Sequence, residues 1–249
     1  MIQITDLTKK YGKNTIIETI NLKIDSGQTY CLLGKNGVGK TTLINLMLDL
    51  IELDNGNIKL WGKEHNKLDC ADKKRIGAVV ENLALIEELS GFEFLLLVGK
   101  IYKMPVDILK KRIADLFQYF FENESDIKKN ISKYSTGMKK KLAFCAAVIH
   151  TPDILILDEP FSGLDPLVAN QMVMFINKYQ RADRLIFISS HDLTYVEKVA
   201  TQIGVLDNKN LIFNSTLLDF TQNGERALDS ALLKILRPNT TELGKIDWV

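Results

Sequence analysis

An eight-residue run, Gly34-Lys35-Asn36-Gly37-Val38-Gly39-Lys40-Thr41, leaves this chain few folds to choose from. It fits G-x-x-x-x-G-K-[ST] without a gap. Its surroundings fit as well. Thr29–Leu33 reads as an apolar strand running straight into the loop, and Leu43, Leu46, Met47 and Leu50 recur at helical spacing after it. Strand, glycine loop and helix in that order form a cradle. The glycines let the backbone wrap closely enough for several N–H groups to face one phosphate chain. The following helix adds about half a positive charge at its start. In such a loop Lys40 reaches the β- and γ-phosphates, and Thr41 offers its hydroxyl to Mg²⁺. A flexible strand–helix turn is the plainer reading, and the combination of full pattern and context disfavours it. The stretch is expected to bind a nucleoside triphosphate.

The rest of the chain supplies a matching scaffold. Ile2, Ile4, Ile16, Ile17, Ile20, Leu22 and Ile24 lie in short, partly alternating runs broken at Tyr11-Gly12-Lys13-Asn14 and Asp25-Ser26-Gly27. Asp54-Asn55-Gly56 predicts a turn and Asn57–Trp61 a short strand. Between 82 and 150 the pattern becomes helical, with Phe92, Leu95, Leu96 and Leu109, Ile113, Leu116, Phe117 on apolar faces. Ile154–Leu157 and Leu185–Ile188 are fully apolar runs ending in Asp158-Glu159 and Ser189-Ser190-His191. Apolar strands alternating with helices predict a parallel sheet covered on both faces, whose ligands bind beyond its carboxyl edge.

Composition narrows the class. With 15 glycines and 5 prolines in 249 residues the chain is neither disordered nor collagen-like, and at this length it buries a sizeable core unaided. Lys and Arg total 32 against 31 acids, so the basic excess of a dedicated nucleic-acid binder is missing and no nucleic-acid partner is expected. Cys31, Cys70 and Cys145 are far apart, which points to small buried apolar residues rather than zinc or redox work. Met1–Asp6 lacks the basic start and apolar core of a signal peptide, and runs such as Phe94–Val98 and Leu142–Ile149 are too short to span a bilayer. The chain itself is therefore expected not to cross a membrane. Without secretion the Asn-x-Ser/Thr triplets at Asn123, Asn130, Asn214 and Asn239 carry no glycan.

Three further clusters bear on the chemistry. Asp158-Glu159 closes an apolar strand 118 positions after Lys40. A carboxylate there can hold Mg²⁺, and the next one, pointing differently, can polarise an attacking water. Alone such a pair is more often a solvated turn; beside a phosphate loop the functional reading is the better one. Ser135-Thr136-Gly137-Met138 opens an apolar helical stretch, with Ser135 as N-cap and Gly137 permitting close approach. On local grounds this is an ordinary capped helix, or else a second phosphate cradle that a head-to-tail dimer puts to use. His191 follows a strand, where an imidazole contacts a γ-phosphate or satisfies a structural hydrogen bond. His65 and His150 receive no role.

Taken in order, these motifs resemble the nucleotide-binding subunit of an ATP-binding-cassette (ABC) transporter over about residues 2–220. Gly34-Lys35-Asn36-Gly37-Val38-Gly39-Lys40-Thr41-Thr42 matches the family's Walker A motif and Tyr134-Ser135-Thr136-Gly137-Met138 its signature. Ile154–Asp158 matches Walker B with Glu159 next, Ser162-Gly163-Leu164-Asp165 the D-loop, His191 the switch histidine and Tyr11 the aromatic that stacks on adenine. The resemblance implies an α/β fold: a P-loop NTPase, RecA-like core with an N-terminal antiparallel β-subdomain and an inserted helical subdomain near 82–150. It implies an ATPase using ATP and Mg²⁺, with Thr41, Asp158 and Glu81 toward the metal, Glu159 activating water and His191 sensing the γ-phosphate. Ser135 and Gly137 of one subunit complete the site of a second, homodimeric copy, and Asp165 links the two sites. Closure then drives a transmembrane permease, which places the chain in the cytoplasm on the inner face of the cell membrane.

Two departures from the family pattern stand out. Glu81 occupies the position usual for glutamine near the permease contact, and the signature begins Tyr-Ser-Thr-Gly rather than Leu-Ser-Gly-Gly. Leu85–Phe92 and the Ser-Thr-Gly-Met-Lys signature look most like bacterial exporters for peptides, antibiotics or drugs. The alternative is a soluble ABC ATPase acting on ribosomes or DNA. A GTPase reading rests on Asn66-Lys67-Leu68-Asp69, which falls only 26 residues after Lys40 and is read as coincidence. Lys139–Lys141 and Lys110–Arg112 are read as solvated helix faces. Residues 221–249 are read as a C-terminal helix and tail: Ala227, Ala231, Leu232 and Ile235 form an amphipathic helix, Arg237-Pro238-Asn239 ends it, and Thr240–Val249 is partly disordered.

Overall fold

Strands buried on both faces need apolar residues at every position, and this chain has several such runs. In the computed structural model, which describes residues 1–81 and 85–236 apart from the Glu124 side chain, they form the centre of the molecule. The strands are β1 (Ile2–Tyr11), β2 (Asn14–Ile24), β3 (Thr29–Leu33), β4 (Asn55–Leu60), β5 (Lys63–Glu64), β6 (Ile76–Val79), β7 (Ile154–Asp158), β8 (Leu185–Ser190), β9 (Gln202–Asp207) and β10 (Asn210–Thr216). The helices are α1 (Lys40–Met47), α2 (Cys70–Lys73), α3 (Gly91–Ile101), α4 (Val106–Phe120), α5 (Thr136–Val148), α6 (Pro166–Tyr179), α7 (Leu193–Val199), α8 (Leu217–Phe220) and α9 (Leu228–Leu236).

One sheet has the order β10-β9-β3-β8-β7-β6. Its members run parallel except β10, which pairs antiparallel with β9. A second sheet, β2-β1-β4-β5, is antiparallel throughout. Two apolar cores meet across the parallel sheet. Leu155, Leu157, Ile186 and Ile188 point into a core shared with α3 to α6. Ile154, Ile156, Leu185 and Phe187 point the other way, toward α1 and the antiparallel sheet. Side chains alternate faces along a strand, so an unbroken apolar run fills both cores at once.

Helices α3, α4 and α5 occupy the expected helical stretch. Ser90 caps α3 in a reciprocal box with Glu93, and α4 turns Leu109, Ile113, Leu116 and Phe117 inward. The amphipathic segment near 227–235 is α9, resting on α7 with Leu228 and Ala231 buried. The expectations for Arg237-Pro238-Asn239, for Thr240–Val249 and for the Asn239 triplet lie outside the described residues.

Three expectations are corrected. The strand placed at Asn57–Trp61 spans Asn55–Leu60, and Trp61 leaves it with φ +51°. Cys31 and Cys145 are buried, whereas Cys70 opens α2 and is exposed. The basic clusters are not simply solvated faces. Lys141 is buried with its Nζ 4.9 Å from the Phe121 ring centroid, and Arg112 donates to the Ile149 carbonyl at 2.6 Å. Their long apolar stems pack while the charged ends find an aromatic face or a carbonyl.

Candidate functional site

The loop between β3 and α1 turns on glycines that no side chain could replace freely. Gly37 and Gly39 have φ of +79° and +114°, and a Cβ at Gly34 would lie 2.6 Å from the Leu206 carbonyl oxygen. Gly39 caps α1 without a side-chain partner, so no side chain of the cap occupies the first N–H groups of the helix. Inside the loop Lys40 is almost fully buried. Its Nζ donates to the carbonyls of Gly34 at 2.7 Å and Lys35 at 3.2 Å, and stands 3.1 Å from Glu159 Oε1 as an ion pair without hydrogen-bond geometry.

The carboxyl edge of the sheet brings the remaining groups to the same place. Asp158 ends β7, where its Oδ2 accepts from Thr41 Oγ1 at 2.7 Å and its Oδ1 from Ser189 Oγ. Glu159 follows with φ +45°, which swings its side chain off the strand line and into the cleft. Its Oε2 lies 2.8 Å from His191 Nδ1, and its N–H is held by Ser189 Oγ at 3.0 Å. Ser189 is thus the support that sequence reasoning passed over. The signal was a hydroxyl at the end of an apolar strand, but only the register Asp158↔Ser189 gives it meaning.

These residues wall a cleft of about 640 Å³. Of the residues singled out in the sequence, Tyr11, Ile16, Asn36, Gly37, Gly39, Lys40, Thr41, Thr42, Glu81, Asp158, Glu159, Ser162 and His191 line it. Gly34, Lys35 and Val38 belong to the same loop but do not line the cleft. Lys140 joins the lining from α5 and donates to the Ser162 carbonyl. The signature stretch is elsewhere. Ser135 caps α5, its Oγ accepting from Met138 N–H at 3.2 Å, and Ser135, Thr136, Gly137 and Met138 lie outside the cleft wall. Asp165 likewise lies off the wall and caps α6 through Val168 N–H at 3.0 Å. Asn66-Lys67-Leu68-Asp69 is also remote: Asp69 caps α2, and none of the four lines the cleft.

The donor set suits a hard cation held jointly with a ligand. Thr41 and Asp158 present a hydroxyl and a carboxylate oxygen side by side, and Glu81 is exposed at the cleft. Among the described residues no cluster of three or more His, Cys, Asp or Glu forms a complete metal cage. Mg²⁺ commonly takes one or two carboxylates and fills its sphere with water and substrate phosphates.

The sequence profile of the ABC transporter family matches residues 17–162. The bacitracin transport ATP-binding protein BcrA of Enterococcus faecalis is 34% identical over 213 residues, covering 85% of this chain and 68% of that protein. The lantibiotic transport ATP-binding protein SrtF of Streptococcus pyogenes is 30% identical over 233 residues, covering 94% and 98%. A solved structure of the ATP-binding subunit of an ABC transporter superposes with a TM-score of 0.85 at 26% identity, covering 95% of this chain and 99% of that one.

Proposed function

The chain belongs to the ABC transporter family as an ATP-binding, ATP-hydrolysing subunit, and from that premise we propose that it energises a separate transmembrane permease through ATP-driven pairing of two cassettes. The transport direction is export, and the cargo class is peptide-type antibiotics, in keeping with the bacitracin and lantibiotic transport relatives. Among the described residues no helix is long and apolar enough to cross a membrane. The proposed coupling to a permease places the chain peripherally on the cytoplasmic face of the membrane.

The observation that carries this reading is the split between cleft and signature. One chain gathers the phosphate loop, Asp158, Glu159 and His191 around a single open cleft, while Ser135 to Met138 open α5 outside it. A head-to-tail homodimer gives the stray helix start a use, covering the exposed side of the partner's nucleotide.

Within one cleft the roles follow from position. The α1 N-terminus and loop N–H groups receive the phosphates, and Lys40 exchanges its carbonyl partners for phosphate oxygens. Thr41 and Asp158 would hold Mg²⁺ with Glu81 beside them, and the ion when bound would neutralise phosphate charge. Glu159 accepts a proton from the attacking water, and His191 fixes the carboxylate through Oε2. Tyr11 offers its ring to the adenine. The 2–220 cassette, its 82–150 helical subdomain and the 221–249 extension are the corresponding functional divisions.

The test is a pull-down with the Glu159→Gln protein and ATP from mildly solubilised native membranes. Retention of a polytopic membrane protein is the expected result. Recovery of ribosomes or DNA-associated proteins with nothing from the membrane would overturn the transporter coupling and favour a soluble ABC ATPase.

A further inference from the structure

Tyr11 sits at the end of β1 with its ring half exposed to the cleft, an awkward place for a group meant to hold a fixed orientation. The register of β1 against β2 slips between Leu7 and Lys9 and again between Lys9 and Lys10, so the strand is irregular just where the ring is presented. Something else has to hold it.

The neighbouring lysine lies against it. Lys9 places its Nζ over the Tyr11 ring, 5.2 Å from the centroid. Its side chain is only 12% exposed, unusual for a lysine. The charge is met by Asp54, whose Oδ2 lies 3.3 Å from Nζ and also accepts the Lys10 N–H at 2.7 Å. Asp54 is tied to β1 in turn, because its own N–H donates to the Thr8 carbonyl at 3.1 Å. The Lys10 N–H and then Lys9 hold the Asp54 carboxyl below the usual carboxylate range. A cation over one face of an aromatic ring is attracted by the ring's quadrupole and leaves the opposite face for another flat partner.

We propose that Lys9, anchored by Asp54, is a positioning residue for the nucleotide base: it pins the Tyr11 ring so that the free face stacks on adenine. Lys9 touches neither phosphate nor reacting atoms in this scheme. The inference rests on Tyr11 being the base platform, as set out under the proposed function.

Equilibrium binding of ATP and of inorganic tripolyphosphate, which has no base, separates the possibilities. Lys9→Met keeps the stem and removes the charge. It is expected to weaken ATP about five-fold and leave tripolyphosphate unchanged, a loss in the range of one cation–π contact. Tyr11→Ala is expected to weaken ATP about ten-fold, and adding Lys9→Met to it should cost nothing more, since the pair acts through one ring. Lys9→Arg should bind ATP as the wild type does. Asp54→Asn, which keeps an acceptor for Lys10 N–H but loosens Lys9, should fall between wild type and Lys9→Met and serves if Lys9→Met fails to fold. An ATP loss in Tyr11→Ala with none in Lys9→Met or Asp54→Asn overturns the role of Lys9 and leaves the platform standing. No ATP loss in Tyr11→Ala removes the platform itself. Equal losses of ATP and tripolyphosphate in Lys9→Met overturn the proposal by making Lys9 a phosphate or structural charge.

Discussion

Lys40 and Glu159 pair at 3.1 Å, and the proposed function gives them different tasks. The two residues nevertheless fail differently when changed. Glu159→Gln removes the proposed base and leaves the loop, the α1 start and Lys40 in place. ATP binding should persist while turnover falls by about two to four orders of magnitude, the usual contribution of a positioned general base. Steady-state hydrolysis beside an ATP binding isotherm checks this, and wild-type turnover would remove Glu159 from the role. Lys40→Ala instead deletes the cation that bridges the Gly34 and Lys35 carbonyls, so the binding isotherm itself should weaken at least ten-fold. Sequence spacing made both residues legible because a phosphate loop and an acidic strand end each have a pattern. Ser189 has none. Its two hydrogen bonds, to Asp158 and from the Glu159 N–H, exist only through the pairing of β7 with β8.

At the junction of three elements the structure contains a titration that the sequence did not announce. His150, just past α5, stacks on Tyr102 at the end of α3, with ring centroids 3.6 Å apart and planes 8° from parallel. Its Nε2 contacts the carbonyl of Ile76, the first residue of β6, at 3.2 Å. Burial pushes its pKa down to about 4, against a weaker upward pull from the Ile76 and Ala146 carbonyls, with Arg112 adding repulsion. The unfolded chain takes up this proton near pH 6.5, whereas the folded one resists until about pH 4. Stability from this site is therefore complete above pH 6.5 and is lost as pH falls toward 4, by on the order of 2 kcal/mol. Denaturant midpoints across that window should drop in the wild type and stay flatter in His150→Phe, which keeps the stack without the proton. The elements themselves were largely readable. Apolar runs at 154–157 and 185–188 could be placed because a strand covered on both faces alternates between two cores. Charged runs could not, because residue type alone does not say whether a lysine lies in water or, like Lys141, along a phenylalanine.

On the scale of the whole molecule, a chain whose phosphate-loop cleft lacks the α5 start makes a prediction about pairs. If Ser135 and Gly137 complete a partner's site, each site draws its phosphate loop from one chain and its signature from the other. Lys40→Ala then disables the site whose loop it carries, and Ser135→Arg the site in the partner's loop. A dimer pairing one Lys40→Ala chain with one Ser135→Arg chain places both lesions in the same site and leaves the other intact. Each variant alone should be inactive as a homodimer. Mixed in equal amounts and paired at random, they should regain about a quarter of the wild-type hydrolysis, half the dimers having one working site of two. If the site is instead completed within one chain, every protomer in the mixture carries a lesion and mixing restores nothing. No reading of a single sequence could decide this, because the distance between Ser135 of one copy and Lys40 of the next is a property of the assembly. The mixing measurement reads that distance as activity, and it separates a shared site from a capped helix that merely begins α5.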